Sequence, residues 1–124
     1  MTHSARAFQA GPDPFDRLWH VEFLWLQTGI SIRHADTVDV KFVIWTEDEP
    51  KQERVIALNH PDLLAISAKL GRSLTDAWCM KLAAAHLRHM IESGEDLEKK
   101  LVTVLAAELE RYARELAEAA PAHA

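Results

Sequence analysis

Residues 38–45, with the sequence Val-Asp-Val-Lys-Phe-Val-Ile-Trp, place an apolar side chain at every even position. Successive side chains of a β-strand point to opposite faces of its sheet. One face of this strand therefore holds Val38, Val40, Phe42 and Ile44, and the other holds Asp39, Lys41, Val43 and Trp45. We predict that the first of these faces is buried in the core.

Short runs on both sides of this strand extend the pattern into a meander. Residues 29–34 alternate, residues 54–58 form another short apolar run, and polar turns at 35–37 and 47–52 separate them. Turn signals at such short intervals are typical of antiparallel strands.

Residues 17–27 fit two patterns. In a helix, Asp13 is the N-cap, Pro14 occupies the first position and Gly29 ends the helix. In a strand, one face collects aromatic and β-branched residues, namely Trp19, Val21, Phe23 and Trp25. The aromatic content favours the strand, and the helix is kept as the alternative.

After Asn59 the spacing of apolar residues changes from every second residue, as in a strand, to about every 3.6 residues, as in a helix. The sequence Asn59-His60-Pro61-Asp62 is typical of a helix N-terminus, and Gly71 predicts its end. A second helix begins at Ser73 or Thr75 and runs to Ser93-Gly94. A third begins at Glu95-Asp96, whose acids suit the positive end of a helix dipole, and reaches about Ala120. Its apolar stripe consists of Leu97, Leu101, Val104, Leu105, Tyr112 and Leu116.

These patterns predict an α+β fold. A small antiparallel sheet of three or four strands, within residues 17–58, is followed by three helices, within residues 60–120, that pack on one of its faces. Residues 17–120 form a single domain in this interpretation. Residues 1–16 are predicted to be a flexible N-terminal tail and residues 121–124 a short C-terminal tail.

Composition narrows the class of protein. Apolar residues make up 48% of the 124 residues, and the formal net charge is −5, which gives no electrostatic reason to bind nucleic acid. A single cysteine, Cys79, excludes a disulfide framework and any multi-cysteine metal site. No stretch of 18 apolar residues and no signal-peptide pattern is present. We therefore expect a cytoplasmic protein that binds neither nucleic acid nor membrane.

Seven histidines offer the main alternative to a purely structural interpretation. His86 and His89 are three residues apart on the predicted second helix, so both imidazoles can reach one ion, and Glu92 extends the spacing. The triplets His34-Ala35-Asp36 and His60-Pro61-Asp62 both follow strands, and they would supply two imidazoles and two carboxylates if they faced each other. Packing, turn formation and helix capping explain the same residues without a ligand. We predict no catalytic residue, cofactor or metal.

An interface is predicted at two places. Val43 and Trp45 point away from the core face, so another helix, the first element or a second subunit must cover them. A helix from Glu95 to Ala119 would be about 37 Å long, which exceeds the roughly 35 Å diameter of a domain of this size. Tyr112 and Leu116, near its end, would then lack a partner within the chain.

Two functional hypotheses follow. The first is a small non-enzymatic accessory or interaction protein that forms a homodimer or binds another protein. The second is a small enzyme or ligand-binding or metal-binding protein that uses a histidine cluster, either His86 with His89 or His34 with His60 together with Asp36 and Asp62. Convergence of the histidines in one pocket would favour the second, and scatter would favour the first.

Overall fold

Residues 6–29 and 37–119 are described in the computed structural model, and they form one five-stranded sheet and three helices. The strands are β1 (Ala7–Ala10), β2 (Trp19–Gly29), β3 (Thr37–Trp45), β4 (Gln52–Asn59) and β5 (Leu101–Thr103). The helices are α1 (His60–Leu70), α2 (Asp76–Ser93) and α3 (Ala106–Ala119). The predicted tail at 121–124 and the candidate ligands His34 and Asp36 lie outside the described residues.

The sheet follows chain order, β1-β2-β3-β4-β5, so its first four strands form an antiparallel meander. The register pairs Phe23 with Phe42, and a bulge at Leu24 then shifts β2 by one residue, so that Trp25 pairs with Lys41. β5 joins the other edge of β4 in parallel, with Val102 opposite Ile56. The α+β class is confirmed, and residues 19–29 are a strand as the alternation favoured.

Five strands replace the predicted three or four, because two short strands carry no readable period. β1 lies within the residues that were predicted to be a flexible tail, so that prediction was wrong for residues 7–10. This strand pairs with the start of β2, where Ala10 lies opposite Trp19. The described part of the tail also buries the Asp13 side chain. The ordered domain thus begins before residue 17.

The first two helices begin and end at the predicted residues. The Asn59 side chain caps α1 by accepting from the Asp62 amide at 3.1 Å, and Thr75 caps α2 by accepting from the Trp78 amide at 3.1 Å. Gly71 and Gly94 adopt the left-handed conformation after the last helical residues, with φ of 65° and 78°. That conformation is the reason glycine is favoured there.

The third helix is shorter than predicted. Residues 95–98 form a turn, residues 101–103 form β5, and α3 begins only at Ala106. Val102, Thr103 and Val104 are three successive β-branched residues, which disfavour a helix and suit a strand at the open edge of β4. At 14 residues α3 is about 21 Å long, so it does not overhang the domain.

The helical layer lies on the predicted inner face of the sheet. α2 lies across β1 to β4, α1 lies against β4, and α3 packs on α1 and α2. The core cluster joins the inner residues of β3, which are Val38, Val40, Phe42 and Ile44, to α2 residues such as Leu82, Leu87 and Ile91. Val43 and Ala57 are buried too, but they lie on the opposite face and outside that cluster.

Candidate functional site

The face of the sheet opposite the helices carries a group of apolar side chains. The register places Trp25, Val43, Trp45, Val55 and Leu101 together there, and we call this group the open sheet face. Trp25 is 37% exposed and Leu101 is 57% exposed. Within residues 6–29 and 37–119, no helix packs on this face.

Trp45 is the centre of a small aromatic stack on the open sheet face. The His20 imidazole lies on one side, with ring centroids 5.3 Å apart and planes inclined by 19°. The Lys51 ammonium lies 4.6 Å from the Trp45 ring centroid, a cation–π distance. Trp45 is only half-buried by these contacts. The prediction that Trp45 points away from the core is confirmed.

A second cation–aromatic contact lies across β2 and β3. Lys41 Nζ is 5.3 Å from the Trp25 ring centroid and 2.6 Å from Glu53 Oε1 on β4. One lysine thus links an indole ring and a carboxylate across three strands. Glu22 and Asp39 share this side of the sheet by register, so the surface around the open sheet face carries both signs of charge.

Tyr112 and Leu116 lie elsewhere. Tyr112 is only 3% exposed, and its ring packs edge-on against His86 with centroids 5.7 Å apart. Leu116 is partly buried against the core cluster. The premise that both residues lack a partner within the chain was wrong, because α3 is short enough to lie entirely on α1 and α2.

The His86 imidazole makes the clearest buried polar contact in the helical layer. Its Nδ1 lies 2.8 Å from the Tyr112 hydroxyl oxygen. Burial lowers the pKa of His86 and raises the pKa of the Tyr112 hydroxyl, so both groups are neutral at pH 7. The pair therefore joins α2 to α3 as a neutral hydrogen bond.

The histidines do not gather at one site in the described residues. His86 and His89 are neighbours, with ring centroids 6.0 Å apart, and His89 Nε2 lies 3.4 Å from Glu95 Oε1. His60 begins α1, and His20 lies on the opposite side of the sheet. No three histidine, cysteine, aspartate or glutamate side chains in that part of the chain are placed to hold a metal ion.

Cys79 lies in the core cluster on α2, only 3% exposed. Burial and the nearby charge of Asp76 raise the pKa of its thiol to about 11. A thiol with this pKa is protonated at pH 7 and is a poor nucleophile.

A polar cluster that the sequence patterns did not predict lies in the loop between β1 and β2. The buried Asp13 carboxylate accepts four hydrogen bonds, from the amides of Phe15 and Arg17, from Arg17 Nε and from Trp19 Nε1. Burial alone would raise the pKa of Asp13, but these donors outweigh burial and lower the pKa to about 2. Arg17 also reaches Glu49 Oε1 at 2.7 Å. The only sequence signal was the Asx-type position of Asp13 before Pro14.

Comparisons with protein-family models, with curated proteins and with solved structures found no match to this chain. In the described ranges, every helix is too short or too polar to span a bilayer.

Proposed function

We propose that the protein is a small non-enzymatic interaction protein that self-associates through the open sheet face. The observation that carries this proposal is the contrast between the two faces of one sheet. The helices α1 and α2 cover the inner face, with α3 packed on them, whereas Trp25, Trp45 and Leu101 remain partly or mostly exposed on the other face. Clustered exposed apolar residues with a polar surround are typical of protein interfaces, and tryptophan is enriched at their energetic centres.

The charges around the open sheet face favour a second copy as the occupant. Two lysines and three acids share this surface, namely Lys41, Lys51, Glu22, Asp39 and Glu53. In a two-fold symmetric dimer each patch meets itself, so a patch of one sign would repel its copy. A patch of mixed sign can pair lysines of one protomer with acids of the other.

A histidine-based enzyme is less well supported. His86 is committed to Tyr112, and His20 and His60 lie on different elements on opposite sides of the sheet. The Cys79 thiol is buried and has a raised pKa. We infer that the polar groups of the helical layer serve packing, while the open sheet face serves binding.

Size-exclusion chromatography with multi-angle light scattering tests the proposal. Over a concentration series, the wild type is expected to reach twice the chain mass of 14.0 kDa. Trp25→Glu and Leu101→Glu each bury a charge in the dimer and are expected to weaken association by at least about tenfold, or roughly 1.4 kcal/mol.

Leu64→Glu is the matched control. Leu64 lies on α1, is 50% exposed, and faces solvent on the helical side of the molecule. This variant is expected to keep the wild-type mass. Monomeric wild-type protein at all concentrations, or equal loss of association in all three variants, would contradict the proposal.

A further inference from the structure

A cavity separate from the open sheet face lies where the loop between β1 and β2 meets the turn after α2. Its volume is about 310 Å³. Its walls come from residues 13–15, 17 and 19 of the loop and the start of β2, from Glu49, from Gln52 and Arg54 of β4, and from Gly94, Leu97 and Glu98. Ligand pockets in proteins span about 300–1,000 Å³, so this cavity suits a small molecule.

Arg54 is the buried cationic group of this cavity, and only 6% of it is exposed. Its three nitrogens donate to the Leu97 carbonyl at 2.7 Å, the Glu53 carbonyl at 2.8 Å and Gln52 Oε1 at 2.8 Å. All three acceptors are neutral. Burial lowers the pKa of Arg54, although a guanidinium stays protonated, and the charge of Glu98 raises that pKa.

The buried charge of Arg54 lacks a paired anion in the described part of the chain, where no carboxylate forms an ion pair with it. Two of the carboxylates in the cavity wall are already engaged: Asp13 accepts four hydrogen bonds, and Glu49 pairs with Arg17. Glu98 is exposed at the rim. Buried charges are normally paired, so the cavity offers a cation that a bound anion can neutralise.

Part of the wall is apolar, and two residues beside it have an unusual backbone conformation. Pro14, Phe15 and Leu97 line the cavity, and Phe15 is 78% exposed. Asp16 and Asp96, with φ of 63° and 56°, are the only residues other than glycine with positive φ in the described ranges. Each adjoins a wall segment, and left-handed residues of this kind are concentrated at binding sites.

The geometry points to a binding site for a small carboxylic acid with an aryl or alkyl group, whose carboxylate pairs with Arg54 and whose apolar group covers Phe15. Arginine suits a carboxylate because its planar donors match the two oxygens. A ligand of about ten non-hydrogen atoms is expected to bind with a dissociation constant on the order of 0.1–1 mM. This site is independent of the proposed self-association.

Titration of the ¹⁵N-labelled full chain with phenylacetate, followed by ¹H–¹⁵N correlation spectra, tests the site. Saturable shifts are expected at residues 13–19, 52–54 and 94–98. Acetate lacks the apolar group, benzyl alcohol lacks the charge, phenethylamine reverses the charge, and inorganic phosphate has charge without an apolar group. Each is expected to bind at least about tenfold more weakly than phenylacetate.

Four variants test which residues of the cavity bind the carboxylate of phenylacetate and which bind its apolar group. Phe15→Ser is expected to weaken phenylacetate binding about fivefold, because it removes apolar contact. Leu18→Ser is the control: Leu18 is a neighbouring exposed residue outside the cavity wall, and this variant is expected to keep the binding affinity within about twofold of the wild type. Glu98→Gln is expected to tighten binding about two- to fivefold, because a competing carboxylate is removed. Arg54→Gln is expected to remove the preference for phenylacetate over benzyl alcohol.

Arg54→Gln also removes hydrogen bonds to Leu97 and Gln52, so the spectrum first reports whether that variant folds. If Arg54→Gln does not fold, the comparison of phenylacetate with the other four compounds, together with Phe15→Ser and Glu98→Gln, still tests the proposed site. No saturable shift below about 20 mM, more than an order of magnitude above the expected constant, would overturn the proposal. Shifts confined to other residues, or binding of benzyl alcohol or phenethylamine equal to that of phenylacetate, would overturn it too.

Discussion

The Nδ1 atom of His86 and the hydroxyl of Tyr112 lie 2.8 Å apart in the buried layer between α2 and α3. Arg111, the residue before Tyr112 on α3, places its Cζ atom 5.1 Å from the centroid of the Tyr112 ring. The last helix is thereby attached to the central helix by a specific polar contact as well as by apolar packing. This contact places Tyr112 in the interior of the chain's own fold.

Tyr112→Phe tests the strength of that contact. The variant keeps the ring and removes the hydroxyl, so it leaves a buried His86 nitrogen without its partner, which costs about 1–3 kcal/mol. Urea unfolding should report a lower free energy of unfolding by that amount. A loss below about 0.5 kcal/mol, the usual effect of a surface substitution, would mean that the hydrogen bond contributes little.

The pH dependence of stability should show the burial of His86. Its pKa is lowered from 6.5, so the unfolded chain binds a proton more readily than the folded chain. The contribution of neutral His86 to the free energy of unfolding is therefore fully present above pH 6.5. It decreases as the pH falls toward the lowered pKa, by at most about 1.4 kcal/mol per pH unit. The groups that act on the charge of His86 are Glu108, His89, Asp96 and Arg111.

Urea unfolding between pH 7.5 and 5 should be compared for the wild type and His86→Gln. The glutamine can keep a hydrogen bond to Tyr112 but does not titrate, so its stability should fall less steeply with decreasing pH. Identical slopes for the two proteins would contradict the assignment.

Asp13→Asn should destabilise the loop between β1 and β2. The carboxylate accepts four hydrogen bonds, one of them from the Arg17 side chain, and hydrogen bonds to charged groups contribute about 1.5–3 kcal/mol. The pKa of Asp13 is lowered from 3.8 to about 2, so its contribution is present above pH 3.8 and is lost as the pH falls through 2.

Asp16→Asn is the control for Asp13→Asn, since Asp16 is exposed and asparagine accepts its left-handed backbone conformation. Thermal unfolding at pH 7 should leave this variant within about 0.5 kcal/mol of the wild type. Equal losses in the two variants would show that the buried hydrogen bonds are not the cause.

A chain that begins at Phe15 should be clearly less stable than the full chain. It lacks β1, which covers the edge of β2, and it lacks Asp13. Both features lie within the residues that the sequence patterns predicted to be a flexible tail. Calorimetry should show a melting temperature lower by more than about 5 °C, because a loss above 1 kcal/mol shifts a domain of this size by several degrees. An unchanged melting temperature would show that β1 contributes nothing.

Sequence patterns predicted the elements whose signals are long or chemically specific. β3 has eight residues of alternation, and α1 and α2 have capping side chains before them and glycine after them. β1 and β5 have four and three residues, too few for a period to be read. β5 also depends on the free edge of β4, which is a tertiary feature.

The candidate sites were predictable only in part. Alternation placed Trp45 on the outer face, but the stack with His20 depends on strand register. Tyr112 fitted a helical stripe, yet the stripe crosses β5 and a turn, and Leu101 and Leu105 are exposed. Arg54 alternates in phase with Ile56 and Leu58, so it lies on the same face of β4 as these core residues. A charged residue at a core position was the one feature of the sequence that pointed to the cavity.

The most direct measurement of the central claim is an isotope-filtered NOE experiment on a mixture of ¹³C,¹⁵N-labelled and unlabelled protein. It detects only contacts between two copies. Self-association through the open sheet face predicts intermolecular NOEs to the side chains of Trp25, Trp45, Val55 and Leu101. Intermolecular NOEs confined to the helical surface around Leu64 or Leu116, or a protein that gives none because it is monomeric at millimolar concentration, would contradict the claim.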